Sequence, residues 1–120
     1  MPILFHLARW PLFRSLIGWV LTHMSFIIPL NRLRETPSLL AFFHPKPNYP
    51  IHILILPKRQ LASLMAISDD DTDFVKDLFV TVQSLITELN LEKSGYRLIS
   101  NGGPYQDVPH LHFHLISGES

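Results

Sequence analysis

At 120 residues the chain has room for one domain with a single modest core. Ten Lys and Arg balance ten Asp and Glu, so no overall field selects a nucleic acid or a polyanionic surface, although a nucleotide-sized ligand needs only local charge. The absence of cysteine excludes disulfides and thiolate metal sites and makes a reducing cytoplasm the simpler setting.

The first thirty residues are the most apolar. Ser15 to Asn31 carry no formal charge, yet Gly18, Thr22, His23, Ser25 and Pro29 interrupt the run, and it falls short of the roughly 20 clean residues a membrane span needs. A secretory signal would show a basic start and a small-x-small cleavage site, and neither is clear. Pro11 suits the first turn of a helix. Arg14, Gly18, Thr22 and Ser25 then form one narrow polar stripe that leaves a broad apolar surface. We therefore predict an apolar N-terminal helix within residues 1–25, covered by the domain or by a partner subunit, with peripheral contact to a bilayer as the alternative.

Residues 26–120 read as the folded domain. Residues 27–28 and 39–43 are predicted short strands, with Arg32, Arg34, Glu35 and Pro37 in the turn between them. Pro45, Pro47 and Pro50 impose a stiff extended loop, because proline fixes φ and donates no ladder hydrogen bond. Ile51 to Leu56 is a β-rich run ended by Pro57, apolar on both faces as a central strand should be, with His52 the exception. Ser68 followed by Asp69, Asp70 and Asp71 places a capping residue and acids where a helix start favours them, and we read a solvated helix start in preference to a metal cluster. Phe74, Leu78, Val82, Leu85, Ile86 and Leu89 recur at three and four, predicting one helix to about Asn90, with Gly95 closing the connection. Residues 96–100 are the next strand and 101–104 a turn.

Residues 108–118 organise the chain. His110, His112 and His114 alternate there with Leu111, Phe113 and Leu115, and alternation of period two marks a strand with one polar and one apolar face. All three imidazoles should share a face, with same-side neighbours roughly 6.5 to 7 Å apart. Strands, one long helix and a final hairpin indicate an α+β fold: an antiparallel sheet with one long helix and the additional apolar N-terminal helix.

Three chemistries suit such a histidine row. Two imidazoles from one strand with His52 as a third could ligate a metal, but three consecutive same-side residues span roughly 13 to 14 Å and cannot all reach one ion. A neutral imidazole can instead attack phosphorus and form a covalent intermediate. That needs a nucleophile fixed through its other nitrogen, for which central His112 is suited, and a proton donor, for which His114 or His110 is suited. Donors to the phosphate oxygens would come from Gln106 and the backbone near Asp107 and Val108. The third possibility is a small-ligand binding module without turnover.

The pattern Gln106-x-Val108-x-His110-Leu111-His112-Phe113-His114-Leu115-Ile116 resembles the signature of the histidine triad (HIT) family. Upstream, Leu40-Ala41-Phe42, Pro47, Pro50, the run His52 to Lys58, the aspartate-led helix, Gly95-Tyr96-Arg97 and Asn101 occur in the order of the family's nucleoside phosphoramidase branch. The resemblance implies a nucleotide hydrolase or transferase acting at an α-phosphate without a metal or cofactor, commonly as a homodimer. By the same resemblance His112 is the nucleophile, His114 assists the leaving group, and His110 and His52 complete the polar network. Asn101 and Gln106 would help hold the phosphate or leaving group, and Asp107, Val108, Phe42, Phe43, His44 and Leu54 are further candidates for the substrate pocket. The sequence departs from the family at His44, where an aspartate is usual, at Asp107, where serine or threonine is usual, at Tyr105, where glycine is usual, and at Gln60, where histidine is usual.

Overall fold

A computed structural model describes residues 32–119, with the backbone alone for Arg32. The predicted N-terminal helix and the strand at 27–28 lie outside these residues. Five strands form one antiparallel sheet: β1 (Arg32–Glu35), β2 (Leu39–Phe43), β3 (Ile51–Pro57), β4 (Arg97–Ile99) and β5 (Phe113–Ser117). Their spatial order is β1-β2-β3-β5-β4. The long helix α1 (Thr72–Glu88) and the short helix α2 (Leu91–Ser94) connect β3 to β4. This is the α+β arrangement that the sequence pattern predicts for the domain.

Central β3 explains its own composition. It pairs with β2 on one side and β5 on the other, and Ile53 to Leu56 are at most 1% exposed, so both faces of that run are apolar. Strand alternation then divides the sheet. Leu39, Ala41, Ile53, Ile55, Phe113 and Leu115 face α1, whose Phe74, Leu78, Val82, Leu85 and Ile86 close one core together with Leu91. Thr36 and Ser38, in the β1–β2 turn, both donate to the carboxylate of Asp77 at 2.9 and 2.7 Å and fix that turn against α1.

The start of α1 is more enclosed than a solvated cap. Asp69–Asp71 form a 3-10 turn in which the Ser68 hydroxyl accepts from the Asp70 amide and the Ser68 amide donates to Asp71 at 3.0 Å. Asp71 is 3% exposed and accepts from Arg59 at 2.7 Å. The Ser68 amide first, and the Arg59 guanidinium after it, hold its carboxyl below the ordinary aspartate range against the opposing effect of burial.

Several boundaries differ from the sequence reading. Arg32, Arg34 and Glu35 form edge strand β1 instead of a turn. An edge strand accommodates such charges: Arg34 reaches Ser84 Oγ at 2.9 Å and Glu88 on α1, and Lys58 donates to Glu35 at 2.6 Å. The helix stops at Glu88 because Asn90 turns left-handed, φ 56°, and starts α2 separately. The last strand begins only at Phe113, not at Val108. Here the His110 amide folds back onto the Val108 carbonyl and the Leu111 amide bonds the Leu61 carbonyl, each at 2.7 Å, so 108–111 are tied to the loop after β3.

Candidate active site

The sheet face opposite α1 carries the histidines. Leu54 pairs with Phe42 and with His114, and His52 pairs with Ile116, so these side chains share one face by strand parity. His44 follows β2 directly, its amide bonded to the His52 carbonyl at 2.8 Å. The imidazoles form a row: ring centroids are 4.4 Å apart for His44 and His52, 5.1 Å for His52 and His114, and 5.1 Å for His114 and His112. Tyr49 meets His52 edge-on at 5.6 Å.

Backbone contacts fix which nitrogen of each neutral ring carries the proton. The Asn48 amide donates to His52 Nδ1 at 3.1 Å, so the His52 proton sits on Nε2. Nε2 lies 2.9 Å from His114 Nδ1, which must accept, and the His114 proton is thereby placed on its own Nε2. His112 has the opposite tautomer. Its Nδ1 lies 2.7 Å from the His110 carbonyl, a group that can only accept, so Nδ1 holds the proton and Nε2 the lone pair. The Lys46 amide likewise donates to His44 Nδ1 at 2.9 Å. The two adjacent rings therefore differ in tautomer when neutral, His112 with its proton on Nδ1 and His114 with its proton on Nε2.

Of the residues expected on one face, His110 does not join the row: its ring pairs with none of the other histidines. It is buried, and its Nε2 has no hydrogen-bond partner among the described residues. Burial lowers its pKa, with the neighbouring His112 adding to the shift and the Pro57 carbonyl opposing it. What His110 gives the site is its backbone carbonyl. The reason it leaves the row is the backward turn at Pro109, which ends the strand geometry assumed for residues 108–112.

The remaining expected residues separate. Phe42 and Leu54 lie on the histidine face and are fully buried, whereas Phe43 packs toward the α1 core. Gln106 donates its side-chain amide to the carbonyls of Ala62 and Val108 at 2.7 and 2.9 Å, bracing the loop before the triad. Val108 is buried, Asp107 half-buried and Asn101 exposed. His112 is 4% exposed. Among the described residues no three His, Asp or Glu side chains converge as a metal ion would require.

The model of the HIT domain family matches residues 26–120. The chain belongs to the HIT domain family. An uncharacterized HIT-like protein of Synechococcus elongatus is 36% identical over 95 residues, covering 78% of this chain and 82% of that protein. Among solved structures, a HIT family hydrolase from Legionella pneumophila superposes with a TM-score of 0.69 at 33% identity, over 78% of this chain and 85% of that one. A histidine triad nucleotide-binding protein from Candida albicans superposes at 0.70 with 31% identity, over 91% of this chain and 75% of the other. Within this HIT domain, the inclusion of His44 in the imidazole row and the role of the His110 carbonyl were not readable from side-chain pattern, since both depend on main-chain contacts.

Proposed function

We propose that this HIT domain is a nucleotide hydrolase or transferase that cleaves at the α-phosphate of nucleoside 5′-monophosphate derivatives, such as phosphoramidates or dinucleoside polyphosphates. The observation that carries the reading is the contact geometry of two adjacent rings, His112 Nδ1 2.7 Å from the His110 carbonyl and His114 Nδ1 2.9 Å from His52 Nε2, from which opposite tautomers of the neutral rings follow. The likeness to the Legionella hydrolase and the Candida nucleotide-binding protein supports the same class.

In this account His112 Nε2 attacks phosphorus and the bond to the leaving group breaks. In the proposed step the His52–His114 pair enters with one added proton and gives it to the leaving group as that group departs. Water then attacks the nucleotidyl-His112 bond, returns a proton to the pair and releases the monophosphate. Asn101, Asp107 and the backbone near Val108 border the phosphate side. No metal or cofactor takes part in any step of this proposal. We further propose a cytoplasmic homodimer, for which β4 at the sheet margin offers backbone groups for pairing. No helix among the described residues is long and apolar enough to cross a membrane.

Turnover of a fluorogenic adenosine phosphoramidate tests the proposal. Wild type should hydrolyse it and His112→Asn should not; equal background rates for both would end it. The enclosure of His112 favours a second reading, a nucleotide-binding module with little turnover. Calorimetric binding of a nucleoside monophosphate without hydrolysis of the phosphoramidate would select that reading.

A further inference from the structure

Gln106 spends all of its N–H bonds inside the protein. Its main-chain amide closes a turn on the Gly103 carbonyl at 3.0 Å. Its side-chain Nε2 lies 2.7 Å from the Ala62 carbonyl and 2.9 Å from the Val108 carbonyl. An amide nitrogen carries two hydrogens, and both neighbours are carbonyls that can only accept. The two contacts therefore use both hydrogens and fix which end of the side chain is nitrogen. What remains is Oε1, an acceptor. The non-bridging oxygens of a phosphate accept as well, so Oε1 has no hydrogen bond to offer them.

The Val108 carbonyl joins this side chain to the triad. It accepts from Gln106 Nε2 and, at 2.7 Å, from the His110 amide, one donor for each lone pair, and so holds the turn over Pro109. The peptide group between His110 and Leu111 is held at both ends. Its N–H donates to the Leu61 carbonyl and its oxygen accepts from His112 Nδ1, each at 2.7 Å. Adjacent residues of the loop after β3 thus anchor the segment twice, Leu61 through Leu111 and Ala62 through Gln106. We propose that Gln106 is a positioning residue for His112 and makes no contact with the phosphate: by bridging Ala62 and Val108 it holds the turn that aims the His110 carbonyl at His112 Nδ1. If the turn relaxes, the neutral His112 ring loses the partner that keeps its proton on Nδ1, and a fraction of the molecules no longer presents a lone pair on Nε2. The kinetic consequence rests on the reaction proposed above, whereas the effect on the ring does not.

Nitrogen NMR of the histidine rings, at a pH where they are neutral, reads this without substrate. In the full-length wild type His112 should show a protonated Nδ1 and an unprotonated Nε2. Gln106→Met keeps the length of the side chain and removes both donors, and it should move the two His112 nitrogens toward the averaged shifts of mixed tautomers. With an adenosine phosphoramidate the same variant should lose on the order of tenfold to a hundredfold in kcat, with KM and the Kd for adenosine monophosphate within about twofold of wild type. An unchanged His112 ring in the folded variant would overturn the proposal. So would a KM or Kd raised about tenfold or more, the mark of a lost hydrogen bond to the phosphate. If Gln106→Met does not fold, the wild type decides. Both side-chain amide protons of Gln106 should exchange slowly with solvent and keep their chemical shifts when adenosine monophosphate is added. Exchange as fast as in an exposed glutamine, or a shift of either proton on addition of the nucleotide, would contradict the bridge. A wild type without turnover would end the reaction proposed above and leave the ring measurement to decide for Gln106.

Discussion

His52 Nε2 stands 2.9 Å from His114 Nδ1, and the Asn48 amide at His52 Nδ1 makes His52 the donor in that pair when both rings are neutral. A main-chain N–H within the proline loop, between Pro47 and Pro50, thus decides, through two rings, that His114 presents a proton on its far nitrogen. Removing the middle ring should leave the nucleophile in place and disturb only the proton donor. His52→Ala should lower kcat with little change in KM and alter the acidic limb of the pH profile. His114→Gln should cost about 10²–10⁴ in kcat, the usual range for a positioned acid. Equal kcat in wild type and both variants would remove the pair from the mechanism.

His110 links the site to stability. Burial lowers its folded-state pKa from the ordinary 6.5. Above pH 6.5 both folded and unfolded chains hold it neutral; below that, the unfolded chain takes up a proton that the folded one resists. Its contribution to stability is therefore full above pH 6.5, falls as the pH drops toward the folded value, and levels off below it. Urea unfolding across this window should show a shallower loss of stability on acidification for His110→Gln than for wild type, by up to one proton. Parallel profiles would contradict the assignment.

Gly118 closes β5 at φ +88°, and a Cβ there would stand 2.7 Å from Pro50 Cγ and 2.9 Å from Pro50 Cδ. Both the backbone region and the proline ring oppose a side chain. Gly118→Ala should destabilise the fold by about 1–3 kcal/mol. An unchanged urea midpoint would show that the loop carrying Pro50 yields without cost.

Much of this architecture is written in periodicity. The three-and-four spacing from Phe74 to Leu89 specifies α1 and its buried face, and the two-sided apolar run Ile53 to Leu56 specifies the central strand. Charge misled at Arg32, Arg34 and Glu35, because an edge strand can send such side chains to α1 and Lys58, and composition alone does not separate that from a turn. Alternation misled at His110 for a related reason. The pattern His-x-His-x-His reads as one strand, but the Leu61 carbonyl captures the Leu111 amide and Pro109 donates no hydrogen bond, so the strand loses its first half. The tautomers of His52, His112 and His114 depend on the Asn48 amide and the His110 carbonyl, main-chain groups that no sequence motif displays.

The most direct measurement is a rapid-quench experiment with a phosphoramidate labelled in its nucleotide. In the first turnover the account predicts one acid-labile nucleotidyl group on the peptide containing His112, formed before monophosphate appears and missing from His112→Asn. Turnover in which that peptide never carries label, or carries it equally after the substitution, would contradict covalent catalysis by His112.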